Sequence, residues 1–239
     1  MNEFICLPQL KIFSVEPSEK ILLVVGGRPP SIDFLQKISS TVERIIAVDH
    51  GLDACRQSDV IPELLIGDLD SARSDSIDWA RSLNVPIERH PVDKDFTDTQ
   101  LALDRVARSV ARPFVIISGA FGGRLDHLCA NLFTAAHSSV RNCLADHNEI
   151  VLFVRDGDRI TVELNAQPIA LSLLPMTDQC RGVSIDGVHW ALDHATLRQL
   201  IPNAVSNRVE SERVNVSIEY GVLAICLTFD RQRQERARF

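Results

Sequence analysis

The sequence predicts an α/β domain followed by a small all-β domain, and two observations lead to this prediction. From residue 20 to about residue 145, continuous apolar runs that end at glycine or acidic residues alternate with amphipathic helical stretches. This alternation is typical of a mostly parallel sheet, whose strands are buried on both faces by helices. After residue 148, short strand-like runs separated by turn dipeptides replace the alternation. We therefore expect a Rossmann-like sheet with helices on both faces in residues 1–147 and a small sandwich or barrel in residues 148–239.

The α/β part contains five predicted strands and five predicted helices. Buried strands are expected where apolar residues run without interruption, at residues 21–25, 44–48, 64–66, 85–87 and 114–117. Helices are expected where apolar residues recur every three to four positions, at residues 31–38, 52–57, 74–83, 96–110 and 125–136. The first 20 residues have no clear pattern.

The second part is predicted to be almost entirely strands. The strand-like runs are residues 149–154, 159–164, 169–174, 183–185, 214–219 and 222–229. Asp156-Gly157, Asp186-Gly187 and Tyr220-Gly221 are turn signals between them. One short helix is expected at residues 194–201.

Composition excludes several classes of protein. A net charge of −7 argues against a nucleic-acid binder, which needs a basic face. No apolar run approaches the roughly 20 residues of a membrane span, and the first residues lack the pattern of a signal peptide. The six cysteines form no C-x-x-C pair, which favours free thiols in a reducing compartment over disulfides or a zinc site. We therefore expect a cytoplasmic protein that binds neither membranes nor nucleic acid.

Asp68 and Asp70 are the first candidate functional residues. They follow the apolar run at 64–66, and in an extended segment residues two apart face the same side. Two carboxylates aimed at one point repel each other unless a cation lies between them. Mg²⁺ is the usual cation where phosphates are handled. For this stretch alone, a solvated turn is the competing interpretation.

A second acidic cluster opens the predicted helix at 96–110. Asp95 and Asp98 lie three residues apart, so both can face one side of the first turn. Helix capping explains one of these carboxylates, but it does not explain three acids in six residues beside Lys94.

A glycine-rich segment follows the strand at 114–117. Ser118 and Gly119 end the strand, and Gly122, Gly123 and Arg124 precede the next helix. Glycines in this position allow backbone N–H groups to approach phosphate, and an arginine adds a fixed positive charge. A tight turn is the alternative interpretation. Gly26-Gly27 and Asp49 also follow predicted parallel strands, at the edge of the sheet where ligands gather.

These residues resemble the thiamin pyrophosphokinase family, also called thiamin diphosphokinase. The matching motifs are GDLDS at residues 67–71, DKDFTD at 93–98 and GGRLDH at 122–127, with Asn131 following. The resemblance continues through SLLP at residues 172–175, GVHWAL at 187–192 and SN at 206–207. Two positions differ from the family's pattern: His50 replaces the first glycine of Asp-Gly-Gly, and Arg208 replaces an acidic residue after Ser-Asn.

The resemblance implies transfer of the β,γ-diphosphoryl group of ATP to the hydroxyl of thiamin, with release of AMP. It implies that Asp68, Asp70 and Asp98 hold Mg²⁺ and that these three and Asp95 are the catalytic residues. The implied ATP-binding residues are Asp49, Lys94, Ser118, Gly119, Gly123 and Arg124. The implied thiamin-binding residues are Thr97, Asp126, Trp190, Ser206 and Asn207. It also implies a homodimer whose thiamin site takes residues from both subunits.

Some alternatives stay open at this point. By itself, Trp190 is more typical of a core aromatic residue than of a ligand platform. A pterin diphosphokinase could use the same metal and ATP machinery with another acceptor. A non-catalytic nucleotide-binding module would not need so repulsive an acidic cluster. A sugar-nucleotide transferase could use Asp68 and Asp70 as a metal motif but would leave the glycine-rich segment unexplained.

Overall fold

The structure, a computed structural model, describes residues 5–13, 17–91 and 95–229. Within that part of the chain the strands are β1 (Ile5–Leu7), β2 (Leu10–Phe13), β3 (Glu19–Val24), β4 (Arg44–Val48), β5 (Leu64–Gly67), β6 (Ile87–Arg89), β7 (Pro113–Ser118), β8 (Arg141–Ala145), β9 (Glu149–Val154), β10 (Arg159–Leu164), β11 (Ala170–Pro175), β12 (Gln179–Asp186), β13 (Leu192–Arg198), β14 (Arg213–Ser217) and β15 (Leu223–Thr228). The helices are α1 (Ile32–Ser39), α2 (Gly51–Gln57), α3 (Ser74–Ser82), α4 (Asp98–Ser109) and α5 (Leu125–His137).

Residues 17–146 form an α/β unit around six parallel strands. The strand order is β8-β7-β3-β4-β5-β6, and every neighbouring pair is parallel. The apolar run of β3 is fully buried, as expected for a strand covered on both faces. From β3 the chain moves outward to β4, β5 and β6, and then returns to the other side of β3 at β7. This reversal places a crevice between the carboxyl ends of β3 and β7, the position where ligands gather in such sheets.

Local side chains set the starts of two helices of the α/β unit, α1 and α4. Ser31 caps α1, because its Oγ accepts a hydrogen bond from the Phe34 N–H at 3.3 Å. Thr97 and Gln100 form a reciprocal capping box at the start of α4. This box explains why α4 begins at Asp98, two residues later than the predicted helix, and it fixes Thr97 and Asp98 at the helix terminus.

The described residues of 1–16 and 147–239 form a β-rich unit. One of its sheets has the antiparallel order β1-β2-β10-β14-β12-β13. In addition, β15 pairs on its two sides with β11 and β9, also antiparallel. Buried and partly exposed residues alternate strictly along β11, which is the period-two pattern of a half-buried strand.

The structure differs from the predicted elements at three places. Residues 194–201 do not form a helix, because residues 192–198 are β13, which pairs with β12 through an irregular register. Strands β1 and β2 belong to the β-rich unit, because β2 pairs with β10, whereas residues 1–147 were expected to form one domain. The sequence also gave no prediction for β8, which extends the parallel sheet beyond β7.

None of the helices in the described ranges combines the length and apolarity required to cross a membrane.

Candidate functional site

A cleft of about 700 Å³ lies at the carboxyl ends of the parallel strands. It is lined by residues at the carboxyl ends of four strands, β3, β4, β5 and β7, by the first turn of α4 and by the first two turns of α5. They are Val25, Gly26, Gly27, Val48, Asp49, His50, Ser71, Thr97, Asp98, Thr99, Ala120, Gly122, Gly123, Arg124, Asp126, His127, Ala130 and Asn131. Six candidate site residues named from the sequence are therefore together here: Asp49, Thr97, Asp98, Gly123, Arg124 and Asp126.

The loops after β3 and β7 are joined by backbone hydrogen bonds. The Val25 N–H donates to the Ser118 carbonyl at 2.8 Å, and the Gly27 N–H donates to the Gly119 carbonyl at 2.7 Å. A side chain at Gly27 would overlap the Gly119 carbonyl oxygen, and Gly119 itself has a φ of +79°. Glycine is therefore required at both positions, and the two loops form a tightly packed floor on which a ligand can approach the main chain.

Asp49 and Asp98 form an acidic pair in the cleft. Burial raises the pKa of Asp49 from 3.8 to about 7, and the charge of Asp98, a hydrogen bond with that carboxyl group and the charge of Asp68 add to the effect. A Cβ atom at Gly67 would overlap the Asp49 carboxylate. The glycine that ends β5 therefore gives Asp49 the space to turn towards α4.

The loop after β5 is curled rather than extended. The Asp70 N–H donates to Asp68 Oδ1 at 3.0 Å, and Leu69 between them has a φ of +69°. This local turn replaces the extended geometry from which we expected the two carboxylates to face one point. Asp70 is exposed, and neither Asp68 nor Asp70 belongs to the lining of the cleft. Asp95 is also exposed, three residues before the start of α4.

The acidic groups suit a hard divalent cation in their chemistry. Within the described ranges, no three His, Cys, Asp or Glu side chains are already gathered as a metal site. However, the raised pKa of Asp49 shows that carboxylates crowd each other here. Carboxylate oxygens are the ligands that Mg²⁺ and Ca²⁺ prefer, and a cation at this place would relieve the repulsion.

Arg124 and Asp126 form an exposed ion pair at the start of α5. The Arg124 Nε and Nη2 groups donate to the two oxygens of Asp126 at 3.1 and 2.5 Å. This hydrogen bonding lowers the pKa of Asp126. Exposed pairs are weak, so an incoming phosphate can take the guanidinium from Asp126. Gly123 faces open space, because a Cβ built on it meets no atom within 4 Å.

Two other described candidates from the sequence do not line the cleft. Ser118 is fully buried, and its Oγ has no hydrogen-bond partner in the described residues. Gly119 contributes its carbonyl to the floor rather than its N–H. Lys94 lies outside the described residues.

His50 lines the cleft although sequence analysis gave it no role. Its Nδ1 atom lies 3.0 Å from the Ser71 carbonyl oxygen and 3.3 Å from a carboxylate oxygen of buried Asp53. Both neighbours are acceptors, so Nδ1 carries the proton. The imidazole therefore ties the loop after β5 to α2. The signal that could have indicated this position was its departure from the family's Asp-Gly-Gly pattern.

The remaining candidates lie in the β-rich unit. The Trp190 side chain is 60% exposed, so it is not the core aromatic residue that its sequence context alone favours. Ser206 is exposed and has a φ of +58°, and its N–H donates to Ser172 Oγ at 2.9 Å. Asn207 is buried beside Trp190. The loop that contains Ser206 and Asn207 is thus adjacent to Trp190.

Arg208, the second departure from the family pattern, is paired locally. Its Nη2 atom donates to Glu210 Oε1 at 2.8 Å and lies 2.8 Å from His189 Nδ1. The Glu210 carboxylate therefore offsets the charge of Arg208 near Trp190, and the hydrogen bond from Arg208 lowers the pKa of Glu210.

Two family models match the chain, one in each unit. The model described as thiamin pyrophosphokinase, catalytic domain, matches residues 35–145. The model described as thiamin pyrophosphokinase, vitamin B1 binding domain, matches residues 159–223. The catalytic-domain match includes most of the residues that line the cleft, and the other match includes Trp190 and Asn207.

Named relatives and solved structures point to the same family. The chain is 26% identical to thiamine pyrophosphokinase 1 of Oryza sativa subsp. japonica over 164 residues, which are 65% of this chain and 62% of that protein. It is 24% identical to thiamine pyrophosphokinase of Bacillus subtilis over 216 residues, which are 88% of this chain and 99% of that protein. The fold is similar to the thiamine pyrophosphokinase structure from Bacillus subtilis, with a TM-score of 0.75, 20% identity and coverage of 89% of this chain and 100% of that one. A thiamin pyrophosphokinase structure from Candida albicans has a TM-score of 0.72, 16% identity and coverage of 88% and 90%.

Proposed function

Because the chain belongs to the thiamin pyrophosphokinase family, we propose that it transfers the β,γ-diphosphoryl group of ATP to the hydroxyl oxygen of thiamin. The products are thiamin diphosphate and AMP. The observation that carries the proposal is the cleft itself, where the acidic pair Asp49–Asp98 and Arg124 surround a glycine floor. Phosphoryl transfer depends mainly on positioning and on neutralising phosphate charge, and these residues suit both tasks.

ATP binds along the glycine loops in this proposal. Backbone N–H groups near Gly123 and the guanidinium of Arg124 contact phosphate oxygens, and Lys94 adds a second positive charge. Asp68, Asp70 and Asp98 hold Mg²⁺. Asp95 is either a further ligand of the ion or a partner of one of these three ligands. Mg²⁺ supplies charge neutralisation and alignment of the phosphates. Asp49 is held next to Asp98 and keeps that carboxylate oriented.

The reaction forms one bond and breaks one. The hydroxyl oxygen of thiamin attacks the β-phosphorus, and the bond from this phosphorus to the oxygen shared with the α-phosphate breaks, so that AMP leaves. The alcohol proton passes to a carboxylate late in the step, since an alcohol is a far weaker acid than Asp. Asp68, Asp70, Asp95 and Asp98 are the candidate acceptors.

Thiamin is a flat cation, and the β-rich unit offers a matching surface. The exposed indole of Trp190 stacks on the thiamin rings, an interaction worth about 1–2 kcal/mol when desolvated. Thr97, Asp126 and Ser206 supply polar contacts to the substrate. The pairing of Glu210 with Arg208 supports this assignment, because it limits the repulsion that an unpaired guanidinium would exert on cationic thiamin.

We also propose that the enzyme is a cytoplasmic homodimer whose acceptor site uses the β-rich unit. All six cysteines are free thiols, which fits a reducing compartment. Leu125 and Phe133 on α5 are exposed apolar residues of the kind that subunit contacts bury. Sedimentation should give a species of twice the 26.6 kDa chain mass. At a thiamin concentration well below the KM of the Trp190→Ala chain, mixing this chain with the inactive Asp70→Asn chain should give more activity than the two chains give separately if the site is shared. No gain after proven subunit exchange contradicts sharing.

The reaction is tested by incubating the protein with ATP, Mg²⁺ and either thiamin or 6-hydroxymethylpterin. Chromatography should show AMP and thiamin diphosphate in equal amounts in the thiamin reaction only. Accumulation of ADP would exclude diphosphoryl transfer. Turnover in the pterin reaction but not in the thiamin reaction would mean that the pterin is the acceptor. No turnover with either compound would favour a non-catalytic module. An Asp98→Asn chain is the negative control.

A further inference from the structure

Asn207 uses its backbone and its side chain to join two different segments. Its backbone N–H and carbonyl pair with the carbonyl and N–H of Leu171 at 2.7 and 2.9 Å. Its side chain turns the other way, towards the main chain of Trp190. There Oδ1 accepts from the Trp190 N–H at 3.0 Å, and Nδ2 donates to the Trp190 carbonyl at 2.9 Å. The amide thus acts as a peptide group would in a neighbouring strand.

This side-chain pair extends a short backbone ladder. Val188 and Val209 form an antiparallel bridge, and the His189 N–H donates to the Arg208 carbonyl at 2.9 Å. The Asn207 amide adds the next pair of hydrogen bonds, which it makes with Trp190. The side chain of Trp190 projects into solvent. The Trp190 ring has an edge contact with His189, with a centroid distance of 4.7 Å, and is otherwise largely exposed. Its direction therefore depends on how firmly its backbone is held.

The same geometry leaves little of Asn207 for a substrate. Asn207 is only 9% exposed, and one N–H and the oxygen of its amide are engaged by the main chain of a single residue, Trp190. A ligand that took the engaged N–H or the engaged lone pair of this amide would break these bonds, and each polar group left without a partner costs about 1–3 kcal/mol when it is buried.

We propose that Asn207 is a positioning residue of the acceptor site, which fixes Trp190 for stacking and does not itself bind thiamin. This assignment differs from the direct contact that the family resemblance implies for Asn207. It rests on the proposed function, because Trp190 must contact thiamin for the positioning to affect catalysis.

A double-mutant cycle separates the two roles of Asn207. Trp190→Ala should raise the KM for thiamin about tenfold, as expected for the loss of one stacking contact. Asn207→Ala should raise the same KM several-fold with a smaller change in kcat and no change in the KM for ATP. In the Trp190→Ala background, Asn207→Ala should change the KM for thiamin less than twofold. Multiplication of the two single effects would mean that Asn207 contacts thiamin directly and would overturn the proposal.

Asn207→Asp is the second variant, and it tests the same point in a chain that keeps the side-chain shape. The aspartate still accepts from the Trp190 N–H, but its other oxygen faces the Trp190 carbonyl oxygen and repels it. A carboxylate that touched cationic thiamin would preserve or lower the KM, whereas a disturbed positioning residue raises it. A lowered KM therefore contradicts the proposal. Asn203→Ala is the matched control, because Asn203 is an exposed asparagine of the same unit, and it should leave both KM values unchanged.

Fluorescence measures the positioning without any substrate. In a Trp79→Phe background Trp190 is the only tryptophan, and its anisotropy should fall and its quenching by acrylamide should rise in the Asn207→Ala chain. Unchanged anisotropy in a folded chain would overturn the proposal. If the wild-type chain makes no thiamin diphosphate, the proposed function fails instead, and the fluorescence still reports whether Asn207 holds Trp190.

Discussion

Replacing Asp49 with Asn should make the stability of the α/β unit less dependent on pH. Burial and the neighbouring Asp98 raise the pKa of Asp49 from 3.8 to about 7 in the folded protein. An acid with a raised pKa in the folded state binds more protons there than in the unfolded state at intermediate pH. Its stabilising contribution is complete below the unfolded-state pKa and is lost as the pH rises through about 7.

The size of the effect follows from the two pKa values. Between pH 5 and pH 8, the full shift would lower the free energy of unfolding by roughly 2–3 kcal/mol. Asp49 keeps part of its surface in contact with water, which screens the interaction, so we expect a loss of about 1 kcal/mol in the wild type. Asn has no proton to lose in this pH range, so the Asp49→Asn variant should show none of this decrease in the free energy of unfolding.

Urea unfolding in EDTA at pH 5 and pH 8 measures the difference. Trp79 on α3 reports the α/β unit when Trp190 is replaced by Phe. Asp104→Asn is the matched control, because Asp104 is an exposed carboxylate on α4. The reasoning is refuted if the wild type and Asp49→Asn lose the same free energy of unfolding between pH 5 and pH 8. It is also refuted if Asp104→Asn removes this decrease as fully as Asp49→Asn does. Mg²⁺ added at pH 8 should stabilise the wild type more than the Asp49→Asn variant, since binding to the ionised pair favours the folded state.

Three further substitutions test the site and its supports. Asp70→Asn should lose nearly all turnover at an unchanged Tm, because it removes a proposed metal ligand from an exposed loop; a kcat near that of the wild type contradicts the metal assignment. Arg28→Ala should lower the free energy of unfolding by about 3 kcal/mol, since it removes an ion-pair partner of the fully buried Asp146 carboxylate; a loss below about 1 kcal/mol in urea unfolding would show that this pair contributes little. Gly51→Ala should lower the Tm by several degrees, because the added Cβ would overlap the Val24 carbonyl oxygen; an unchanged Tm would mean that α2 moves away freely.

Four of the six parallel strands, β3, β4, β5 and β7, could be predicted closely because burial on both faces leaves a simple trace in the sequence. The run at 21–25 corresponds to β3 within two residues, and the run at 44–48 is β4. The amphipathic stretch at 96–110 likewise corresponds to α4, apart from the start that the capping box sets.

The failures occurred where tertiary pairing decides the structure. Residues 194–201 carry a spacing that fits a helix, yet pairing with β12 makes residues 192–198 a strand. The sequence placed Asp49 at a strand end and Asp98 at a helix start, but no local pattern states that two residues so far apart share a hydrogen bond. The hydrogen bonds that join the Asn207 side chain to the Trp190 main chain likewise leave no periodic signal in the sequence.

The pairing of β2 with β10 has a consequence for synthesis on the ribosome. Residues 10–13 leave the ribosome before the whole α/β unit, and their partner residues 161–164 follow about 150 residues later. At translation rates of about 5–20 residues per second, the first strands wait roughly 7–30 s for a partner. The α/β unit contains all six of its parallel strands before that time and can fold first. During this interval β2 can pair with β1, but its other edge lacks β10, so nascent chains halted near residue 150 should be the ones that molecular chaperones bind most strongly.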